Sequence, residues 1–383
     1  MAGKPLIMVP GPTNVPDRVL RAMLKPMISH RSEEFRRLYD GIRENIRYLF
    51  QTDGEVFVLT ASGTGGVECM VNNTVNPGDR VIVPVFGLFS ERLREKINLR
   101  GGEAVEIQLR YGTAPTVDHV EEALERAGRV DAIAIVYNET STGVTVRDLP
   151  EIGRLAEERD ILLLVDAVSI MGGDELPVDE WNIDLCVTGS QKCLACPPGL
   201  SLISVSPRAW EKIENTRSRP FYSDLIRMRE FAMRRETPFT PAIPLFYALD
   251  EALKMIREEG LENRFRRHRV CAEAFYRALE ALGLEAFPDR EVRSNTVIAV
   301  KTPEDVRNSE VRRIMKERYG VVIAGGTGSF RESIFRIGCM GAISELEVLK
   351  TVEALEGALS EVGYPLKIGS GVESVRRFLH LDQ

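Results

Sequence analysis

The sequence predicts an α/β protein with a largely parallel sheet in a large domain, followed by a smaller α+β domain. Short apolar runs alternate with helical stretches from about residue 20 to about residue 250, as expected when helices cover both faces of such a sheet. The runs are continuously apolar, which is typical of strands buried on both sides. A chain of 383 residues is also long enough for two domains.

Each predicted element follows from one of these patterns. We predict large-domain strands at 56–60, 81–83, 105–109, 132–136, 161–166, 185–188 and 202–205. Amphipathic stretches at 118–126 and 149–157 predict helices between them, and a longer one predicts helix from about 244 to 282. The smaller domain is predicted from strands at 296–300, 321–323 and 334–337 and helices at 309–318 and 344–361.

Composition limits the classes of function. A net charge of −7 gives no overall reason to expect nucleic-acid binding. Apolar runs stay well below the ~20 residues of a membrane span, and the N-terminus does not resemble a signal peptide. Six scattered cysteines indicate reduced thiols, and Cys193 and Cys196 lack the two further ligands that zinc requires. We therefore expect a cytoplasmic protein without a metal site.

Two strand ends carry the most informative side chains. Asp166 ends the aliphatic run 161–166, and Lys192 follows the run 185–188 in a loop of small and rigid residues. Ligands of open α/β sheets collect at the carboxyl ends of the strands. Pyridoxal phosphate needs both a lysine for a Schiff base and an acid beside its ring nitrogen. Taken alone, Asp166 is more typical of a residue that caps a turn, and Lys192 is compatible with a surface position.

A glycine-rich turn, Ala61-Ser-Gly-Thr-Gly-Gly66, leads from the first strand into a helix. Free backbone N–H groups and the positive end of the helix dipole suit a phosphate there, with Ser62 and Thr64 as hydroxyl donors. An ordinary capped βα turn has the same composition.

Arg336 lies inside an apolar strand and needs a partner. A guanidinium there can bind the carboxylate of an amino acid, or form an internal salt bridge. The nearby segment 324–329, Ala-Gly-Gly-Thr-Gly-Ser, is predicted to be a mobile loop beside the substrate entrance.

In combination, these motifs resemble the class V aminotransferases, specifically the alanine–glyoxylate / serine–pyruvate aminotransferase group. The resemblance runs from Pro10-Gly-Pro-Thr-Asn-Val-Pro16 to Phe335-Arg-Ile-Gly338 and is strongest in 138–143, 164–167 and 189–199. It implies the aspartate-aminotransferase-like fold of pyridoxal-phosphate enzymes, with a seven-stranded, mostly parallel large domain. The implied division is a joining segment at 1–20, a large domain at 21–255 and a small domain at 256–383, in a homodimer with shared active sites.

The resemblance also implies roles for individual residues. Lys192 corresponds to the Schiff-base lysine and Asp166 to the partner of the pyridine nitrogen, while Phe89 corresponds to the aromatic residue that stacks on the cofactor. Arg336 and Gly11 correspond to substrate-binding positions. The remaining cofactor-binding positions are Ser62, Gly63, Thr64, Thr140, Val168, Gln191 and, from the neighbouring subunit, Thr240. Relatives often have His at the position of Thr64 and Tyr near Thr237.

We therefore expect a ping-pong transaminase in which Lys192 is the general base and acid. Alanine or serine as donor and glyoxylate or pyruvate as acceptor follow from the resemblance alone. Aspartate, phosphoserine and aminoethylphosphonate are alternative donors, and Arg31 is the one further arginine considered for an acidic side chain. A lyase such as a cysteine desulfurase is another alternative, although Gln191 stands where those enzymes usually have His and segment 324–329 has no cysteine. A non-enzymatic binding protein is the third.

Overall fold

A computed structural model describes residues 5–381 of the chain. Its strands are β1 Leu6–Ile7, β2 Glu55–Leu59, β3 Arg80–Val85, β4 Glu103–Gln108, β5 Ala132–Val136, β6 Asn138–Glu139, β7 Val144–Thr145, β8 Leu162–Asp166, β9 Leu185–Gly189, β10 Ser201–Val205, β11 Val297–Lys301, β12 Val321–Val322, β13 Ala324–Gly325 and β14 Ile334–Gly338. Its helices are α1 Asp17–Ala22, α2 Glu33–Phe50, α3 Gly63–Thr74, α4 Leu88–Leu99, α5 Val117–Ala127, α6 Leu149–Glu158, α7 Ala209–Glu214, α8 Leu225–Ala232, α9 Ile243–Glu259, α10 Leu261–Ala281, α11 Asn308–Tyr319, α12 Glu345–Glu361 and α13 Ser370–Phe378.

The large domain is built on one seven-stranded sheet, which confirms the predicted fold class. Its strand order is β2-β10-β9-β8-β5-β3-β4, and β10 alone runs antiparallel to its neighbours. Each of the seven predicted strands is present, with ends within about two residues of the prediction. All residues of β5 and β9 are buried, as continuously apolar strands require.

The sheet order places the two predicted chemical groups at one edge. β8 lies between β5 and β9, and all three run in the same direction. Asp166 is the last residue of β8, and Lys192 comes three residues after the end of β9. Because parallel strands end at the same edge of a sheet, both side chains reach the same crevice.

The small domain has its own antiparallel sheet, β11-β14-β13, packed with α10, α11, α12 and α13. Its apolar cluster includes residues from 271 to 375 together with Met8, whereas the large-domain cluster includes residues from 19 to 265. The N-terminal segment starts at the small domain, where β1 pairs with β12 and Gly338 N donates to Met8 O at 2.7 Å. The segment then passes the lysine loop, where Thr13 N donates to Gln191 O at 3.1 Å. The exact domain boundaries stay a prediction.

Two sequence-based expectations differ from the structure. The helix predicted from about 244 to 282 is two helices, α9 and α10, separated by Gly260 with φ +78° and ψ 141°. A side chain disfavours that backbone conformation, so a glycine inside an amphipathic pattern ends the helix here. Segment 324–329 is not wholly a loop, because Ala324–Gly325 pairs with β14 and Gly328–Phe330 forms a 3-10 turn.

No helix within residues 5–381 has both the length and the apolar character that crossing a membrane requires. All six cysteines are buried and unpaired, as the sequence suggested.

Candidate active site

A cavity of about 150 Å³ opens at the carboxyl edge of the large sheet. It lies where β5, β8 and the loop after β9 meet the first turns of α3 and α4. The lining residues are Thr64, Val67, Phe89, Arg92, Lys96, Val136, Asn138, Thr140, Asp166, Val168, Ser169, Gln191 and Lys192. The cavity thus brings together Asp166, Lys192 and five other residues that the sequence placed near a cofactor.

Asp166 projects from the end of β8 into this cavity. Burial raises the pKa of its carboxyl group to about 6, against the opposing effects of the Val168 backbone N–H and the positive charge of Lys96. Val168 N donates to Asp166 Oδ1 at 3.0 Å, which fixes the direction of the carboxyl group. Because the pocket partly desolvates the anion, a cationic ligand beside it would be strongly favoured.

Lys192 lies across the cavity, in the turn after β9. Burial lowers the pKa of its ammonium group to about 8. Its Nζ donates to the carbonyl of Pro10 in the N-terminal segment. Gly11 has φ +92°, and a Cβ there would lie 2.5 Å from Cδ of Lys192. Only glycine leaves room for the lysine stem, so Gly11 lies against Lys192 as part of the wall around it.

The first turn of α3 forms the floor of the cavity. Ser62 caps the helix, with its hydroxyl accepting from Gly65 N at 3.2 Å. Gly63 packs on Val168, where a Cβ would lie 2.9 Å from a side-chain methyl group. The first N–H groups of a helix have no partner within the helix, so this turn offers donors to an anion.

Gln191 offers an unpaired polar group at the cavity. Among residues 5–381, its buried amide oxygen has no hydrogen-bond partner, although the side chain lines the cavity. A buried unpaired amide costs about 1–3 kcal/mol and is normally satisfied by a ligand or by water. A carboxylate, a lysine amine and an anion-binding helix end match the ring nitrogen, the aldehyde and the phosphate of pyridoxal phosphate. The Gln191 oxygen is an acceptor, so the amide would have to turn its nitrogen toward the phosphate to donate to it.

Phe89 lies in the first turn of α4, and Glu139 stabilises that turn. The sequence had not identified Glu139 as a site residue. Glu139 is fully buried and accepts from Phe89 N at 3.0 Å, from Ser90 N at 2.9 Å and from Ser141 N at 3.0 Å. Gly87 is required beside it, because a Cβ there would lie 2.3 Å from Glu139 Cγ. The carboxylate therefore neutralises the helix end that carries Phe89.

Arg336 does not itself line the cavity, but it contacts Thr140, which does. It lies on β14, is 8% exposed, and has a pKa lowered to about 10 by burial. Its Nη1 donates to Thr140 O at 3.0 Å, and its Nε and Nη2 donate to Gly325 O at 3.0 and 2.9 Å. The internal salt bridge considered from sequence is absent among residues 5–381; two backbone carbonyls hold the guanidinium instead.

Thr240 does not reach this cavity within one chain. It is exposed and lies in a separate depression with Thr60, Tyr222 and Phe239. Its predicted role requires a second subunit and stays a prediction. Arg31 is also engaged elsewhere, with Nη1 donating to Glu236 Oε2 at 2.9 Å and to Thr237 O at 2.7 Å.

Arg92 and Lys96 line the cavity but were not identified from the sequence. Together with Phe89 they lie at i, i+3 and i+7 along α4, which places them on one face of the helix. That spacing was available in the sequence, but the face that meets the cavity depends on how α4 packs.

A larger depression of about 930 Å³ lies elsewhere, around Arg47, Gln51 and Asn263. None of the residues predicted for the cofactor lines it. The size of a cavity alone therefore does not identify the candidate active site.

Comparison with known proteins yields relatives along almost the whole chain. An uncharacterised aminotransferase of Methanocaldococcus jannaschii is 41% identical over 99% of this chain and 98% of its own length. The serine–glyoxylate aminotransferase of Methylorubrum extorquens is 36% identical over 98% of this chain and 96% of its own. The small subunit of a soluble hydrogenase of Synechococcus is 38% identical, covering 99% of both chains.

Solved structures share the same architecture. Ureidoglycine–glyoxylate aminotransferase of Bacillus subtilis superimposes with a TM-score of 0.93 at 30% identity, covering 99% of each chain. The family model described as Aminotransferase class-V matches residues 7–343. With its cavity built around Lys192 and Asp166, this chain belongs to the class V aminotransferase family, whose cofactor is pyridoxal phosphate.

Proposed function

We propose that the protein is a ping-pong transaminase that moves the amino group of a small amino acid, alanine or serine, to glyoxylate or pyruvate. The observation that carries this proposal is the convergence of Lys192, Asp166 and the Thr140–Arg336 contact at one small cavity. These groups supply an amine, a carboxylate and a carboxylate-binding guanidinium, which transamination requires.

Bound pyridoxal phosphate supplies an electron sink that makes the α-proton of an amino acid removable. In the proposal Asp166 holds the ring nitrogen and Phe89 stacks on the ring, with Val168 also lining the cavity. The phosphate would be bound by Ser62, Gly63, Thr64 and Gln191, joined by Thr240 from a second subunit. Thr140 contributes its hydroxyl at the same cavity.

Lys192 is proposed to move the proton. A general base works best when its pKa lies near the operating pH, and burial brings this amine to about 8. The Pro10 carbonyl accepts from Nζ and holds the amine at the cavity wall.

Arg336 is proposed to bind the substrate carboxylate. Three of the five N–H groups of the guanidinium donate to the carbonyls of Gly325 and Thr140. Two remain, enough for two bonds to a carboxylate. Relatives named as serine–, alanine– and aspartate–glyoxylate aminotransferases support small substrates.

Acidic donors are the second candidate, supported by Arg92 and Lys96 at the cavity wall. Either cation can meet the side-chain acid of aspartate, phosphoserine or aminoethylphosphonate. Because Arg31 forms an ion pair with Glu236, it is less available to bind the side-chain acid of such a donor.

A half-reaction screen tests the proposal. The cofactor-loaded protein is mixed with alanine, serine, aspartate, phosphoserine or aminoethylphosphonate, and the loss of the visible absorption of the cofactor is followed. We expect the fastest change with alanine or serine. Faster change with an acidic donor would support the second candidate, sulfide release from cysteine would indicate a lyase, and no change with any donor would contradict the transaminase proposal.

We further propose a cytoplasmic homodimer, supported by the six unpaired cysteines and by exposed apolar side chains such as Leu24, Met27, Phe221 and Met233. Light scattering of the purified protein at several concentrations tests the dimer, and a monomer at all of them would contradict it.

A further inference from the structure

The guanidinium of Arg336 is held by one carbonyl from each domain. Thr140 belongs to the large domain, whereas Gly325 begins a glycine-rich segment of the small domain. Gly325 O accepts two of the three bonds, so its position largely decides where the guanidinium points. Gly325 is paired with Phe335 across β13 and β14, and segment 324–330, which we call the Gly325 loop, continues from this pairing to Phe330.

A folded turn closes the Gly325 loop. Gly326 N donates to Ile334 O at 2.8 Å, and a Cβ at Gly326 would lie 1.8 Å from Phe330 O. No side chain fits at Gly326, and the loop folds back directly onto the backbone of Phe330. Movement of Phe330 would therefore be transmitted to Gly326 and its neighbour Gly325.

Phe330 is fixed from both domains. Its ring lies 5.5 Å from that of Tyr111, tilted by 30°, and 5.3 Å from that of Phe287, at 69°. Tyr111 belongs to the large domain, and its hydroxyl donates to Glu91 in the first turn of α4, two residues after Phe89. Phe287 belongs to the small domain, where its N–H donates to Ala299 O at 2.9 Å.

We propose that Phe330, clamped between Tyr111 and Phe287, is a positioning residue for substrate binding: it holds the Gly325 carbonyl that orients Arg336. The inference deepens the proposed function, because it assumes that Arg336 binds the substrate carboxylate.

The test compares alanine with ethylamine, which has the same amine and methyl group but no carboxylate. Both are given to the cofactor-loaded protein under single-turnover conditions. In Phe330→Ala we expect the half-saturating concentration of alanine to rise about tenfold, since offset and edge-to-face ring pairs contribute on that scale. Ethylamine reactivity and the affinity for pyridoxal phosphate should stay within about twofold of the parent protein.

Matched variants separate positioning from general damage. Phe330→Tyr keeps the ring and should bind alanine like the parent protein. Tyr111→Phe keeps the ring contact with Phe330 and should change the half-saturating concentration of alanine little. Equal losses for alanine and ethylamine in Phe330→Ala would indicate mere structural damage and would overturn the inference, as would an unchanged alanine response.

Failure of the proposed function gives a different result. Arg336→Ala serves as the reference: if it also leaves the alanine-to-ethylamine ratio unchanged, the role assigned to Arg336 is wrong. If the parent protein reacts with no amino acid, hydrogen exchange of the 324–334 peptide tests whether Phe330 holds this segment in place. Faster exchange in Phe330→Ala than in the parent supports it, and equal exchange overturns it.

Discussion

Asp166 and Lys192 have pKa values displaced in opposite directions for one reason. Burial disfavours the charged form of each, so the pKa of the acid rises to about 6 and that of the amine falls to about 8. Both pKa values are thereby brought closer to neutral pH, where proton transfer by these groups is efficient.

Replacing Asp166 by Asn should stabilise the cofactor-free protein. The folded pKa of about 6 exceeds the ordinary 3.8, so the folded state binds more protons between these values and stability falls as pH rises from about 4 to 6. Above pH 6 the buried ionised carboxylate lowers the free energy of unfolding by its full amount, up to about 3 kcal/mol. Urea unfolding at pH 8 should show Asp166→Asn more stable, with the gain disappearing near pH 4. The exposed Asp305→Asn is the control, and an equal gain there would contradict the explanation.

Lys192→Ala should abolish the half-reaction while leaving the circular dichroism spectrum and thermal unfolding essentially unchanged. In the parent protein, the rate of covalent cofactor capture should rise with pH through about 8, because only the neutral amine is a nucleophile. Borohydride reduction and peptide mapping should place the label on residue 192. The exposed Lys350→Ala is the control, and a label on any other lysine would refute the assignment.

Arg336→Ala should weaken amino acid binding by about 2–5 kcal/mol, as expected for a desolvated carboxylate pair. The cause is the loss of the two N–H donors left free by Gly325 and Thr140. Saturation of the half-reaction with alanine measures this, with the exposed Arg331→Ala as control. Unchanged half-saturation would remove Arg336 from the substrate site.

At the scale of elements, the first turn of α4 depends on a carboxylate from β6. Glu139 is fully buried, yet the backbone N–H groups of Phe89 and Ser90 and the hydroxyl of Ser141 compensate its charge. The same residue supplies negative charge that favours the charged form of Arg336. One side chain thus contacts the turn that carries Phe89 and also influences the charge state of Arg336.

Glu139→Gln should lower the free energy of unfolding by about 2–4 kcal/mol, since an amide nitrogen then faces backbone donors in a buried site. It should also weaken cofactor binding, because Phe89 loses its anchor. Urea unfolding and cofactor titration measure the two effects. Glu91→Gln, in the same first turn but half-exposed, is the comparison. Equal stability of Glu139→Gln and the parent protein would show that the buried charge is not needed.

At the scale of the whole molecule, α10 connects the two domains at the lysine loop. Arg264 is 5% exposed; it donates to Gly172 O at 2.8 Å, to Glu259 at 2.7 Å and to the carbonyl of Cys193. Arg267 also pairs with Glu259 and donates to Gly341 O at 3.2 Å. The start of α10 therefore ties the residue after Lys192 to the chain beyond β14.

Arg264→Met should destabilise the protein by about 3–5 kcal/mol, because it leaves buried carbonyls and part of Glu259 without a partner. Arg266→Met removes an exposed pair with Glu262 and should cost less than about 1 kcal/mol. Urea unfolding of both variants is the measurement. Similar small losses in the two would argue against α10 as a structural link.

The sequence determined the strand–helix alternation, because short, continuously apolar runs between amphipathic stretches are typical of strands in a sheet covered on both faces. It also determined that Asp166 ends one apolar run and that Lys192 follows another, since these positions are read directly from the sequence. The sheet order then showed that the two strands are neighbours. The family resemblance added Phe89, Thr140 and Arg336, but the sequence carried no signal that the partners of Arg336 are carbonyls.

Only the tertiary structure decided how the domains share the site. Gly260 divides a continuous amphipathic pattern because its backbone angles disfavour a side chain, and that turn sets where α10 meets the carbonyl of Cys193, the residue after Lys192. Glu139, Arg92, Lys96 and the Phe330 clamp act through contacts between residues tens to hundreds of positions apart. Such contacts depend on the packing of whole elements, which local sequence patterns do not specify.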